Sequence, residues 1–551
     1  MAMGTRLSGH ASRPIQKAFP MPILTNNETT QQTIAFHNDL FIAPGASVMV
    51  TTGSAIDTSS GDYTPSLINY GTLVTNATEA VEWLADGGSI YNDGIIASGS
   101  AYSARAVSFN AHYVDAAFAL TNGPNGQIIG GFEVNSYGVP VGTPIPAGEN
   151  VVSLQNSGLI TVLPDQYNNN NSAAVRLLTM PAHYNIDNSG TISGEIGVYF
   201  QQLASYGGDF VLFNTGEIIG TAGEGLRLYA NANNNETLLL NNSGRIASLN
   251  DDAIYAFAGN WVLNNLEGGV IEGRINFAGD WETRLTNDGL IVGDVDLWDG
   301  SDHVTNSGSI QGNVNMGAHD DRYIGQGGTV TGSIDMGGGD DLARVDQDYL
   351  VIDGGAGNDT LIVTGDRVVA SGFETIFLNG SADISVDGGA TDDKIWGNFG
   401  ANGIGGGDGA DTIRSGNGDD TIEGGAGDDI LYSGSGNDEI VGGGGKDLMN
   451  GGADADIFVF EAVSDSGTTG ATADIIKSFE HGVDRIDMSF LTNPDFIGTG
   501  AFTGGGTAEI RVQLLANNNS RLLIDADGNG TTDMMITMLG QQTFDADDFI
   551  L

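Results

Sequence analysis

The sequence predicts an all-β fold: a parallel β-helix that continues into a narrower β-roll and closes with a β-rich C-terminal cap. Three observations predict it. An apolar run followed by Asn-x-Gly-x-(Ile/Leu/Val) recurs from about residue 65 to 345. A strict nine-residue glycine–aspartate period occupies the chain from residue 388. Helical patterning, with apolar residues every three or four positions, is nearly absent throughout.

Residues 1–60 precede the full phrases and are assigned as an N-terminal segment that caps the open end of the stack. Their start, Met1 to His10, has no apolar stretch of the secretory-leader kind. The β-helix is assigned to 61–345. Its phrases begin at Asn69, Asn92, Asn156, Asn188, Asn214, Asn242, Asn287 and Asn306, with degenerate copies at Gly126 and Gly269, and successive copies lie 19 to 32 residues apart. Such periods mark stacked supersecondary units. Asn and Gly tolerate the left-handed backbone of a tight corner, and stacked Asn side chains can hydrogen-bond from rung to rung. Runs such as Phe210-Val-Leu-Phe213 then face one continuous core.

The roll is assigned to 346–460. An isolated nonapeptide, Gly354-Gly-Ala-Gly-Asn-Asp-Thr-Leu-Ile, precedes eight in unbroken phase from Gly388. Position six reads Asp393, Asn402, Asp411, Asp420, Asp429, Asp438, Asp447, Asp456; position eight reads Ile395, Ile404, Ile413, Ile422, Leu431, Ile440, Met449, Phe458. The glycines free the backbone for a loop whose carbonyls turn inward. Position eight is one buried side chain per short strand. Two nonapeptides make one turn, so Asp411 is expected over Asp429 and Asp420 over Asp438. Carboxylates that close repel unless a cation lies between them. With oxygen donors alone, several Ca²⁺ ions are expected rather than zinc or copper. The expected ligands are Asp359, Asp393, Asp411, Asp420, Asp429, Asp438, Asp447 and Asp456, with backbone carbonyls of Gly406, Asp408, Gly424, Ala426, Gly442 and Gly444.

Asp302, Asp321, Asp341 and Asp359 follow at 19, 20 and 18 residues. This spacing predicts one corner running from helix into roll and adds Asp302, Asp321 and Asp341 as further metal candidates. Residues 461–551 are assigned to the cap. Within it, Asp525-Ala-Asp527-Gly-Asn529-Gly-Thr-Thr-Asp533 begins like an EF-hand loop but has Ile536 where the bidentate Glu belongs, and apolar runs flank it. A polar hairpin tip is the better reading, with Asp525, Asp527, Asn529 and Asp533 kept as metal candidates.

The nonapeptide is a known calcium-binding β-helix signature, and the array resembles the RTX repeat domain of proteins exported by bacterial type I systems. Asp456-Ile-Phe-Val-Phe460, Asp474-Ile-Ile-Lys-Ser-Phe479 and Gly482-Val-Asp-Arg-Ile-Asp-Met-Ser489 resemble the module behind the repeats of serralysin proteases and mannuronan C5-epimerases. The final Asp-Phe-Ile-Leu resembles their uncleaved secretion signal. The resemblance covers about 350–551. It implies an extracellular or cell-surface bacterial protein that contacts type I machinery through its C-terminus and folds on meeting calcium outside the cell. The upstream β-helix is similar to that of many bacterial surface proteins.

Charge and composition bound the rest. Seventy acidic residues against 19 basic ones give −51, which repels phosphate and excludes nucleic acid as a partner. Cysteine is absent and glycine numbers 85, so disulfide scaffolds and Cys-ligated metals are excluded. No apolar stretch reaches transmembrane length. No His-Glu-x-x-His joins any of the seven histidines, so metalloprotease chemistry is excluded. The expected role is a structural surface, matrix or S-layer-like protein or an adhesin, with self-association or cell-surface polysaccharide as partners. The enzymatic alternative is a uronan epimerase or lyase on the β-helix face. Its candidate groups, Arg176, His183, Tyr184, Arg227, Tyr229 and Arg245, are scattered, although alternation puts Arg227 and Tyr229 on one face.

Overall fold

The computed structural model describes residues 23–551 except 25–27, 29–31, 35–38, 51–53, 59–64, 77–78, 85–86, 99–104, 112–116, 137–150, 163–171, 180–182, 203–208, 231–236, 366 and 541–542. Among the described residues there is no α-helix, only strands and two short 3₁₀ turns.

The Asn-x-Gly phrase builds a three-sided rung. In one, Phe210–Asn214 lies in the first sheet, Glu217–Gly220 in the second and Leu226–Tyr229 in the third. Each strand pairs in parallel with its counterpart one phrase later: Phe210 with Leu238, Glu217 with Arg245, Leu226 with Ile254. Period-two alternation fixes the register. Phe210, Leu212, Ile218, Leu226 and Leu228 point inward, while Phe213, Arg227 and Tyr229 face out. Rungs begin before residue 61, since Ile23 pairs with Phe41 and Leu40 with Leu67. Residues 1–22, part of the assigned cap, lie outside the described residues.

At the first-to-second corner the predicted asparagine ladder runs through ten residues. Asn69, Asn92, Asn122, Asn156, Asn188, Asn214, Asn242, Asn265 and Asn287 each donate their amide to the next Asn side chain, down to Asn306, at 2.7–2.9 Å. Asn122 and Asn265 belong to the degenerate copies at Gly126 and Gly269, whose corners carry extra residues. All ten are buried.

The second sheet ends at Thr329–Val330. There the Gln347 side-chain amide takes the place of a strand: its oxygen accepts from Val330 N at 2.6 Å and its nitrogen donates to Val330 O at 2.8 Å. Below this the rung has two sides and most often 18 residues, as in the pairings of Leu342 with Thr360 and Leu350 with Val368. The prism becomes the roll. The eight position-eight side chains from Ile395 to Phe458 fill its core, all at most 2% exposed. An antiparallel set, Glu509–Leu514, Ser520–Asp525 and Met534–Leu539, covers the lower end and joins Asp474–Lys477. Phe549–Ile550 pairs with Arg485–Asp487 as the last strand of the third sheet.

Candidate metal centre

Each nonapeptide forms a corner and then a strand. Positions two and four take left-handed backbone, as in Gly425 (φ 108°) and Gly427 (φ 149°). A Cβ at Gly425 would also stand 2.0 Å from Gly407 O. Glycine is therefore required twice over.

This corner aims position-six carboxylates at one another's main chain. Asp393, Asp411 and Asp429 donate N–H to Oδ1 of Asp411, Asp429 and Asp447 at 2.8–2.9 Å, and Asp447 N–H reaches Asp474 Oδ1 at 2.9 Å. On the opposite edge the column is Asn402, Asp420, Asp438, Asp456 and Asp484, linked at 2.7–3.1 Å. The expected stacking of Asp411 over Asp429 and Asp420 over Asp438 is thus observed. One carboxylate oxygen per rung is used. The other, Oδ2, is buried without a partner at Asp359, Asp393, Asp411, Asp420, Asp429, Asp438, Asp447 and Asp474.

Position one explains where Oδ2 looks. A Cβ on Gly424 would fall 2.5 Å from both Asp429 Oδ2 and Gly442 O; one on Gly406 would meet Asp411 Oδ2 and Gly424 O. The missing side chain leaves a cradle between carboxylate and carbonyl oxygens. At position three, Ala426 O and Gly444 O each accept from the rung above at 2.8 Å and keep a second lone pair. Burial pushes these acids upward: Asp393 and Asp447 to about 6, Asp429 and Asp456 to about 7, Asp474 to about 8. Neighbouring carboxylates add to the shift at each of them. An all-oxygen, anionic and partnerless donor set fits a hard divalent cation such as Ca²⁺.

Asp359 sits in the same file, its N–H on Glu374 Oε2 at 2.8 Å. Asp302, Asp321 and Asp341 continue the file upward, as the spacing predicted, with N–H to Oδ1 links of 2.6–2.8 Å. Sequence reasoning missed Glu374, Asp474 and Asp484. The signal for the last two was present, because Asp474-Ile-Ile-Lys and Asp484-Arg-Ile-Asp repeat positions six to nine without the glycine half.

The Asp525–Asp533 segment is the tip of an antiparallel hairpin. Asp525 accepts from Asn529 and Gly530 N–H, and Asp533 from Ala526 N–H, so the carboxylates serve the turn itself, although three of them lie together. Asp548 is also buried and accepts from Gly482 N, with His481 Nδ1 at 2.9 Å.

The enzymatic candidates do not converge. Tyr184 is in the core, His183 contacts Asp209, and Arg245 lies on the second sheet with Glu272. Arg176, Arg227 and Tyr229 do share the outer face of the third sheet. There Tyr229 packs between Tyr199 and Tyr255 at 6.0 and 5.8 Å, Arg176 lies over Tyr199, and Glu133 and Glu224 pair with Arg176 and Arg227.

Residues 335–551 match the family model for the peptidase M10 serralysin C terminal. The match agrees with the resemblance read from the C-terminal motifs, and it takes in the whole nonapeptide array. Asp302 and Asp321 lie above it. Among solved structures, the chain is similar to the solution structure of the AlgE6R2 subunit from the Azotobacter vinelandii mannuronan C5-epimerase, 24% identical over 30% of this chain and 91% of that one, with a TM-score of 0.19. No helix among the described residues is long and apolar enough to cross a membrane.

Proposed function

We propose that this is a secreted bacterial calcium-binding protein whose roll folds when it meets calcium outside the cell. The partnerless Oδ2 atoms over their glycine cradles carry the reading. Without a cation, each buried oxygen loses its hydration and gains nothing. The proposed ligands are the position-six aspartates of both edges with the position-one and position-three carbonyls. Extracellular calcium modules bind at ~10⁻⁴ to 10⁻³ M. At ten times Kd each site contributes about 1.4 kcal/mol. About five sites then supply roughly 7 kcal/mol, on the scale of a domain's whole stability of ~5–15 kcal/mol.

Circular dichroism and hydrogen exchange of the full chain, in EGTA and then in millimolar Ca²⁺, test this. Protection of residues 403–459 should appear only with calcium. Equal protection in EGTA would sink the reading.

For the long stack we infer a structural surface or adhesin role. The tyrosine–arginine stripe around Tyr229 favours adhesion, because aromatic faces and guanidinium groups suit sugar rings and their acidic substituents. A uronan epimerase or lyase on that face is the second reading. Incubation with a panel of uronic-acid polysaccharides separates them: binding without altered product supports adhesion, and an epimerised or unsaturated product supports the enzyme.

A further inference from the structure

We infer that a single file of oxygen-coordinated divalent cations also runs up one corner of the three-sided β-helix, between the rungs of Thr283, Asp302, Asp321, Asp341 and Asp359. This extends the calcium reading above, and rests on it for the choice of ion. Above Asp359 it assigns sites to rungs that carry no Gly-Gly-x-Gly-x-Asp motif.

The corner conformation is that of the array. Positions two and four are left-handed in Trp298 and Gly300 (φ 68° and 133°), Gly317 and His319 (107° and 82°), and Gly337 and Gly339 (92° and 148°). Trp298 and His319 hold that backbone despite their Cβ atoms. The hydrogen bond from position four to the next position-three carbonyl is also the same: Gly300 N to Ala318 O at 3.0 Å and Gly339 N to Ala356 O at 2.9 Å, beside Gly427 N to Gly444 O at 2.8 Å in the array.

The carboxylates then do what they do below. Thr283 N–H binds Asp302 Oδ1 at 2.6 Å, and the chain of such bonds passes through Asp321 and Asp341 to Asp359. Asp302, Asp321 and Asp341 are 0%, 3% and 2% exposed, and each has a partnerless buried Oδ2. None of the described ion pairs includes them. A cation between rungs satisfies several such oxygens at once. One feature differs: position one is Leu297, Met316 or Met336 instead of glycine, and these buried side chains fill the wider lumen. Weaker binding than in the array is therefore expected.

The test counts calcium bound to the full chain by equilibrium dialysis and maps hydrogen exchange with and without it. Three proteins are compared: unsubstituted, D302N/D321N, and D411N/D429N. Asparagine keeps the Oδ1 acceptor and removes the charge. The inference expects fewer bound ions in D302N/D321N and loss of calcium-dependent protection across 297–325. An unchanged count and unchanged protection in D302N/D321N, with a reduced count in D411N/D429N, overturn the upper file and leave the array reading intact. No calcium in any of the three overturns the array reading itself. Should D302N/D321N fail to fold, terbium replaces calcium in chains retaining all four aspartates of the file and carrying Trp396→Phe. Indole-sensitised emission that falls on adding Trp298→Phe supports the file, and emission indifferent to Trp298 refutes it.

Discussion

The smallest unit of this molecule's chemistry is a glycine that is missing a side chain for a reason. Gly424 could be alanine by its backbone, yet a Cβ there would lie 2.5 Å from Asp429 Oδ2 and from Gly442 O. Gly424→Ala should therefore weaken calcium binding at that rung at least about tenfold, read by calorimetry as loss of one site from the titration; an unaltered isotherm would place the ion elsewhere. At the far end, His481 sits on Asp548 at 2.9 Å, and hydrogen bonding to that carboxylate, then its charge, raises the imidazole above its ordinary value. The pair's contribution is full below about pH 6.5 and fades as pH rises through the raised value. The His481 NMR titration should thus have its midpoint above 6.5 and return towards it in Asp548→Asn. This contact was invisible in the sequence, because 67 residues separate the partners and nothing in either local motif announces it. Asn122 was missed for a different reason: its corner, Asn122-Gly-Pro-Asn-Gly126, is two residues longer than Asn-x-Gly, and the side chain reaches Gly126 O instead.

The two kinds of corner element divide the stack into a part that needs no ion and a part that does. An asparagine ladder is neutral, and each amide satisfies its neighbour. Asn214→Ala takes from the Asn188 amide its shortest acceptor, leaving the longer bonds to Glu217 O and Gly190 O, and leaves Asn242 Oδ1 without its donor. It should cost roughly 2–3 kcal/mol in denaturant unfolding, with or without calcium. An aspartate ladder is anionic and half satisfied. In metal-free protein burial pushes Asp302 to about 8 and Asp321 to about 9, with Glu282, Asp299, Asp320 and Asp341 adding repulsion. The folded state then holds protons that the unfolded chain releases. This stability is full below about pH 4 and is lost as pH rises through the raised values. Calcium-free protein should consequently keep more protection across 297–363 near pH 5 than near pH 8, while the rungs from 183 to 257 change little. Equal protection at both values would mean that these carboxylates are not desolvated as drawn. Both ladders could be read from the sequence because their periods survive insertions between them. The change from three sides to two could not. It depends on Gln347 closing the second sheet at Val330, a single side-chain contact with no periodic signature.

For the molecule as a whole, −51 charges make compaction unfavourable until cations arrive, which suits a chain that crosses a secretion channel unfolded and folds beyond it. The last residues were expected to be the address for that channel. The structure gives them a second duty: Asp548 is fully buried, Phe549 nearly so, Phe549 pairs with Ile486, and Met488 N–H binds Ile550 O at 2.9 Å. The expected address and the final strand would then be the same four residues. Deleting Asp548 to Leu551 should therefore retain the protein inside cells, and the purified truncation should lose protection around Arg485–Asp487 even in millimolar calcium. The double substitution Phe549→Ala/Ile550→Ala separates the duties. It keeps the chain length and Asp548 while removing the strand's apolar contacts, so undocking with normal export would assign the signal to the acidic residues. Export of the four-residue truncation at the normal rate would refute a C-terminal signal altogether, whatever became of the strand.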